Sequence, residues 1–153
     1  DTTTQKTYYF YQTTKPVYEK RLSTRCKDLT HLTQKEIDAS PSFTQVVTDF
    51  KAFMDKHHIQ YLMTWGSSDY TSMKTSFSYS HLSLKLRDDV LSTIVDIQPL
   101  ISLLRDETRS QFSLQDMKEY YHLEGAVEHH ALQDAKDLKD IILAFKKKYP
   151  SDT

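Results

Sequence analysis

Residues 40–57, SPSFTQVVTDFKAFMDKH, run almost without a break into IQYLMTW, residues 59–65. The first stretch repeats apolar residues at helical spacing. Phe43, Val46, Val47, Phe50, Phe53 and Met54 fall on one face, and Ser42 and Gln45 stand at capping-box spacing ahead of them. The second is a short apolar run, as a buried strand requires. A helix feeding directly into an apolar strand restricts the chain to folds in which helices pack on a sheet. Other segments extend that pattern. Lys6 to Thr13 is rich in aromatic and β-branched residues and predicts a strand, and Lys15 to Lys20, with Pro16, predicts a loop. Thr33 and Glu36 predict a short helix over Gln34 to Asp38. A helix through about Ser76 begins at Ser68 or Asp69. Leu82 to Leu86 reads either way, Thr93 to Ile97 predicts a strand, and a helix begins at Pro99. Ser113 and Asp116 cap a further helix, and the last runs from about Glu128 to Lys147. The order is strand, helix, strand, helix, strand, helix, helix, which predicts one α/β domain over residues 1–153.

Composition narrows the function classes. Only Gly66 and Gly125 occur as glycines, so a glycine-rich phosphate cradle is excluded. The single cysteine, Cys26, excludes an internal disulfide and a cysteine-built zinc site, and fits a cytoplasmic location. A net charge of −1 argues against bulk electrostatic grip on nucleic acid, although a local basic patch remains compatible with it. No apolar run approaches a membrane span, and no membrane partner is expected.

Three groups of residues carry chemical potential. TWGSSDY places Asp69 just past the C-terminal end of a strand, where ligand sites of open α/β sheets collect. Asp69 equally suits a helix N-cap. In HHALQDA, His130 and Asp134 stand four apart on one helical face, with His129 at or before the helix start. Histidine can act as a general base, and aspartate can hold a hard divalent cation. The same residues also suit a solvated, acidic first turn. The 17 tyrosines and phenylalanines offer stacking surfaces for nucleobases, but most fall at core periodicity.

TWGSSDY and HHALQDA resemble the second and third motifs of the DEDDh 3′–5′ exonucleases, which are DnaQ-like proteins of ribonuclease H-like fold. The third motif of that family, H-x-A-L-x-D-A, is matched in order by His129, Ala131, Leu132, Asp134 and Ala135. LTHLTQKEIDASPSFTQVVTDF resembles another family stretch, with His31 where glycine is usual. The similarity runs from about Thr7 to Phe145 and is nearest to the animal histone-mRNA and small-RNA exonucleases. It implies a ribonuclease H-like mixed sheet flanked by helices and a 3′–5′ exonuclease acting on single-stranded RNA or DNA. It further implies His129 as catalytic base, Asp134 as a direct ligand of Mg²⁺ or Mn²⁺, and Asp69 holding a second ion through water. One motif is missing. The family opens with D-x-E on its first strand, and no aspartate here has glutamate two residues later. DTTTQK resembles the turn between the family's second and third strands, so the first two strands and D-x-E are expected upstream of Asp1. Asp69 and Asp134 alone set −2 against the +4 of two dications, so weak metal binding and little hydrolysis are expected of these 153 residues. The alternative is a catalytically inactive protein of this fold that binds nucleic acid or a protein. A bared sheet edge makes self-association into a homo-oligomer a further expectation.

Overall fold

The computed structural model describes residues 6–104 and 111–150. The described elements are α1 (Thr24–Thr30), α2 (Gln34–Ala39), α3 (Phe43–Lys56), β1 (Leu62–Thr64), α4 (Ser68–Ser78), α5 (Leu84–Leu91), β2 (Ile94–Asp96), α6 (Gln98–Leu104), α7 (Leu114–Tyr120) and α8 (Ala131–Lys148). β1 and β2 pair in parallel, with Leu62 opposite Ile94, Met63 opposite Val95 and Thr64 opposite Asp96. A parallel pair needs a long crossover, and α4 and α5 supply it. The result is an α/β fold in which helices flank a small sheet.

Side-chain caps set most helix starts. Ser23, Thr33, Ser42, Ser83 and Ser113 each accept a hydrogen bond from a backbone N–H three residues on. This satisfies one of the free donors at the start of a helix. Thr33 with Glu36, and Ser113 with Asp116, complete reciprocal boxes. The box expected at Ser42 is only half made. Ser42 accepts from the Gln45 N–H, but the Gln45 amide donates one turn onward to the Asp49 carboxylate at 2.9 and 3.0 Å. A hydrogen bond to an ionised acceptor outcompetes one to a neutral partner.

Two cores form. Phe43, Val47 and Met54 of α3 meet Phe77 of α4 and Val90 of α5 in the first. Ile97 and Ile101 meet Met117 of α7 with Leu138 and Ile141 of α8 in the second. Leu62 packs on the first and Trp65 on the second, so β1 and the turn after it link the two.

The structure corrects several expectations. Lys6 to Thr13 is irregular and pairs with no strand among the described residues. A ladder requires a partner edge, and this segment is held by side chains instead. Phe10 lies 5.3 Å from Phe50 and 5.6 Å from Phe53, ring centre to ring centre, and Tyr8 lies 4.1 Å from His57. Its tyrosines Tyr8, Tyr9 and Tyr11 are exposed rather than core. The strand expected over Ile59 to Trp65 shortens to Leu62–Thr64 and is not buried, with Tyr61 65% and Met63 50% exposed. Met63 and its partner Val95 are both exposed. The ambiguous Leu82 to Leu86 opens a helix, α5, and α1 was not foreseen. The last helix begins at Ala131, not Glu128, because His129 is left-handed (φ 54) and His130 is an extended N-cap. No helix among the described residues is long and apolar enough to cross a membrane.

Candidate active site

The turn after β1 fixes the first acidic group. Gly66 takes φ +93, a conformation strained for any residue with a Cβ. Its N–H donates to Asp96 Oδ1 at 2.9 Å, and the Gln98 N–H donates to the same oxygen at 3.0 Å. Trp65 Nε1 and Gln98 Nε2 both donate to the Phe112 carbonyl, at 3.0 and 2.8 Å. Asp96 thus ties the end of β2 to the turn beyond β1. Sequence reading passed over it, and its only signal was an acidic residue at the end of an apolar strand. Held in this way, the turn delivers Asp69 as the second residue of α4. The N-cap there is Ser67, without a side-chain cap bond, so the capping alternative for Asp69 does not hold.

The second group comes from the start of α8. The left-handed His129 and extended His130 turn the chain into the helix, and the Asp134 N–H donates to the His130 carbonyl at 2.9 Å. His130 precedes the helix, so the face expected to join it to Asp134 is not built. Its ring lies 5.1 Å from that of Tyr11.

Asp69, His129 and Asp134 line one cavity of about 550 Å³, with Met63, Thr64, Trp65 and Ser68 on the sheet side and Ala131, Ala135 and Leu138 on α8. Burial pushes the Asp69 carboxyl above the usual carboxylate range, and the charges of Asp134 and then Asp96 push it further. Asp69 is exposed as a residue, so solvent still screens it in part. Burial likewise raises Asp134; His129 and His130 oppose that rise, while Asp137 and Glu128 add to it. Asp134 Oδ1 is buried with no hydrogen-bond partner. A buried carboxylate oxygen left unpaired is costly, and a cation or proton relieves it. Carboxylate oxygens are the ligands that hard divalent cations take, but no group of three His, Cys, Asp or Glu side chains is placed to hold a metal ion among the described residues.

His31 ends α1 in the left-handed conformation, φ 58. That backbone explains why glycine suits this position.

The chain matches the family model described as exonuclease (RNase_T) over residues 2–142. It belongs to that exonuclease family. Solved structures agree on the fold. One is described as the nuclease domain of 3′hExo, a DEDDh family member, bound to rAMP; it is 23% identical with a TM-score of 0.81, covering 92% of this chain and 72% of that one. A full-length 3′-exonuclease is 20% identical with a TM-score of 0.74, covering 91% and 47%. A structure of 3′-end specific recognition of histone mRNA stem-loop by 3′-exonuclease is 22% identical with a TM-score of 0.71, covering 92% and 64%. No individual curated protein sequence matches.

Proposed function

We propose that this domain belongs to a 3′–5′ exonuclease acting on single-stranded RNA or DNA in the cytoplasm. In this reading Asp134 and Asp69 hold a divalent cation, Mg²⁺ or Mn²⁺, and His129 is the catalytic base. The observation that carries it is the meeting of Asp69, His129 and Asp134 in one cavity, with a buried Asp134 oxygen left unpartnered. The described neighbours include one bound to rAMP and one recognising an mRNA stem-loop, which supports nucleic acid as the ligand class. The imidazole of His129 takes a proton from the attacking water. The two carboxylates present negative charge that excludes a phosphate until a cation is bound. The cation, once present, supplies positive charge against the scissile phosphate.

Two ions need more carboxylates than this cavity holds. The proposal therefore includes a D-x-E strand encoded upstream of Asp1, completing one exonuclease domain. The 153 residues by themselves are expected to turn over little. The test is release of 3′-labelled nucleotides in Mn²⁺ by the full reading frame. Activity is expected there and is expected to vanish in Asp134→Ala. An upstream frame without D-x-E, or cleavage indifferent to Asp134, would overturn the reading.

A second reading is favoured by the absence of a three-donor group among the described residues. In it the chain keeps the fold but binds nucleic acid or a protein without turnover. It requires binding unaffected by chelator, and metal-dependent cleavage by the purified chain would exclude it.

A further inference from the structure

A phosphate strand approaching Asp69 and Asp134 meets like charge, and the chain as a whole carries −1. Binding such a strand demands cations placed close to this cavity but outside it. The described surface offers a candidate. A cleft of about 420 Å³ lies between α4 and α5, lined by Tyr70, Lys74 and Ser78 on one side and Arg87, Asp88, Leu91 and Ser92 on the other. Tyr70 directly follows Asp69, so consecutive residues in the first turn of α4 line the two cavities. Tyr70, Lys74 and Ser78 stand four apart, a single stripe running about 12 Å along the helix away from the carboxylates.

The groups in this cleft suit a phosphodiester. Two cations face one carboxylate. The Lys74 ammonium lies 5.9 Å from the centre of the Tyr70 ring and forms no ion pair among the described residues. Arg87 spends two guanidinium nitrogens on Asp88 Oδ1, Nε at 2.9 Å and Nη2 at 2.8 Å. That pair is open to solvent on both sides, 40% and 64% exposed, so it is weak and its cation can be shared. Three hydroxyls, Tyr70, Ser78 and Ser92, complete the lining, and Tyr70, 38% exposed, offers a ring for a base to stack on.

We propose that the α4–α5 cleft, built on Lys74, Arg87 and the Tyr70 ring, is a second contact site for the backbone phosphates of a single-stranded nucleic acid whose end occupies the carboxylate cavity. The proposal rests on the nucleic-acid reading above and adds the path of the strand beyond the reacting end.

The experiment is fluorescence anisotropy in Mn²⁺ with labelled 12-nucleotide and 3-nucleotide single-stranded RNA across a salt series. It compares the wild-type chain with Lys74→Gln/Arg87→Gln and with Lys85→Gln, an exposed α5 lysine outside the cleft. The double variant is expected to bind the 12-mer about tenfold more weakly, with a salt slope lower by about 0.7 per cation removed. It is expected to bind the 3-mer as the wild type does, because a ligand that short fills only the carboxylate cavity. Equal 12-mer affinity in the double variant, or an equal loss in Lys85→Gln, would overturn the cleft. So would loss of 3-mer binding together with the 12-mer. If the 12-mer effect appears while no full-frame cleavage depends on Asp134, the cleft stands and the exonuclease reading falls. If the wild-type chain binds neither oligonucleotide, both fall.

Discussion

Lys118 of α7 and Asp137 of α8 form a buried ion pair whose disruption gives the sharpest stability test. Lys118 Nζ lies 2.9 Å from Asp137 Oδ2, and the side chains are only 4% and 6% exposed. Their alignment misses hydrogen-bond geometry, so the contact is ionic, while Asp137 Oδ1 accepts from Gln133 Nε2 at 3.1 Å. Lys118→Met strips the cation and leaves a buried carboxylate facing the core of Met117, Leu138 and Ile141. Removing one partner of such a pair costs about 3–5 kcal/mol. At about 2–4 °C per kcal/mol for a domain of this size, melting should fall by roughly 6–20 °C. Lys118→Met/Asp137→Leu removes both charges and should recover most of that loss, because a buried pair gains little over an apolar replacement. The assay is thermal unfolding of all four proteins of the cycle at pH 7, followed by circular dichroism. A single variant within about 1 kcal/mol of wild type, or a double variant no better than the worse single, would refute the reasoning.

Three further outcomes are expected. Ser42→Ala should cost about 1 kcal/mol in urea denaturation, since Ser42 caps the longest helix of the first core. Met54→Ala should cost about 2–5 kcal/mol in the same assay, because Met54 is 2% exposed at the centre of that core. Asp69 and Asp134 both have folded pKa values above the unfolded one, so the folded chain binds their protons more tightly. Their contribution is therefore most favourable below the unfolded carboxylate pKa of about 4 and is lost as pH rises through the raised folded values. Asp69→Asn/Asp134→Asn should flatten that fall between pH 4 and 7 and, without metal, should exceed wild type in stability at pH 7; equal slopes in urea titrations would contradict it.

Features that one turn of chain decides were legible in the sequence. Thr33 with Glu36, and Ser113 with Asp116, fixed helix starts because a hydroxyl reaches the third N–H whatever the rest of the fold does. The apolar stripe of α3 was legible for the same reason. Lys6 to Thr13 was misread because strand propensity describes a residue's fit to a sheet and says nothing of whether a partner strand is present. Ile59 to Trp65 was read as buried on composition, yet Met63 and Val95 face outward because burial is decided by the layer across from them. At the site, Asp69 stood out by its place after a strand, His129 and Asp134 by their chemistry at a helix start, and motif resemblance supplied their expected roles. Asp96 has no motif, and its role arises from a turn 30 residues away. The Lys118–Asp137 pair is equally invisible locally, since it joins two helices.

The placement of Asp134 shows what the fold gives up to hold a charged site. Asp134 lies in the first turn of α8, where free N–H groups and the helix dipole favour an anion. Its carboxyl is nonetheless raised, and burial is the leading cause. Desolvation, helped by the charges of Asp137 and Glu128, therefore outweighs the two histidines that favour the charged form. A side chain with free choice would rotate out to water. The helix beneath it has little choice: one turn further on, Asp137 is clamped to Lys118, and Leu138 and Ile141 are buried in the second core. The strain of a half-buried, unpaired oxygen is thus carried by the packing of α7 against α8, and a bound cation would release it. By mass action, Mn²⁺ at ten times its dissociation constant should stabilise the wild-type chain by about 1.4 kcal/mol. Asp69→Asn/Asp134→Asn, already free of the strain, should gain nothing from the ion. Equal stabilisation of both proteins would place the ion elsewhere and remove the reason for the buried carboxylate.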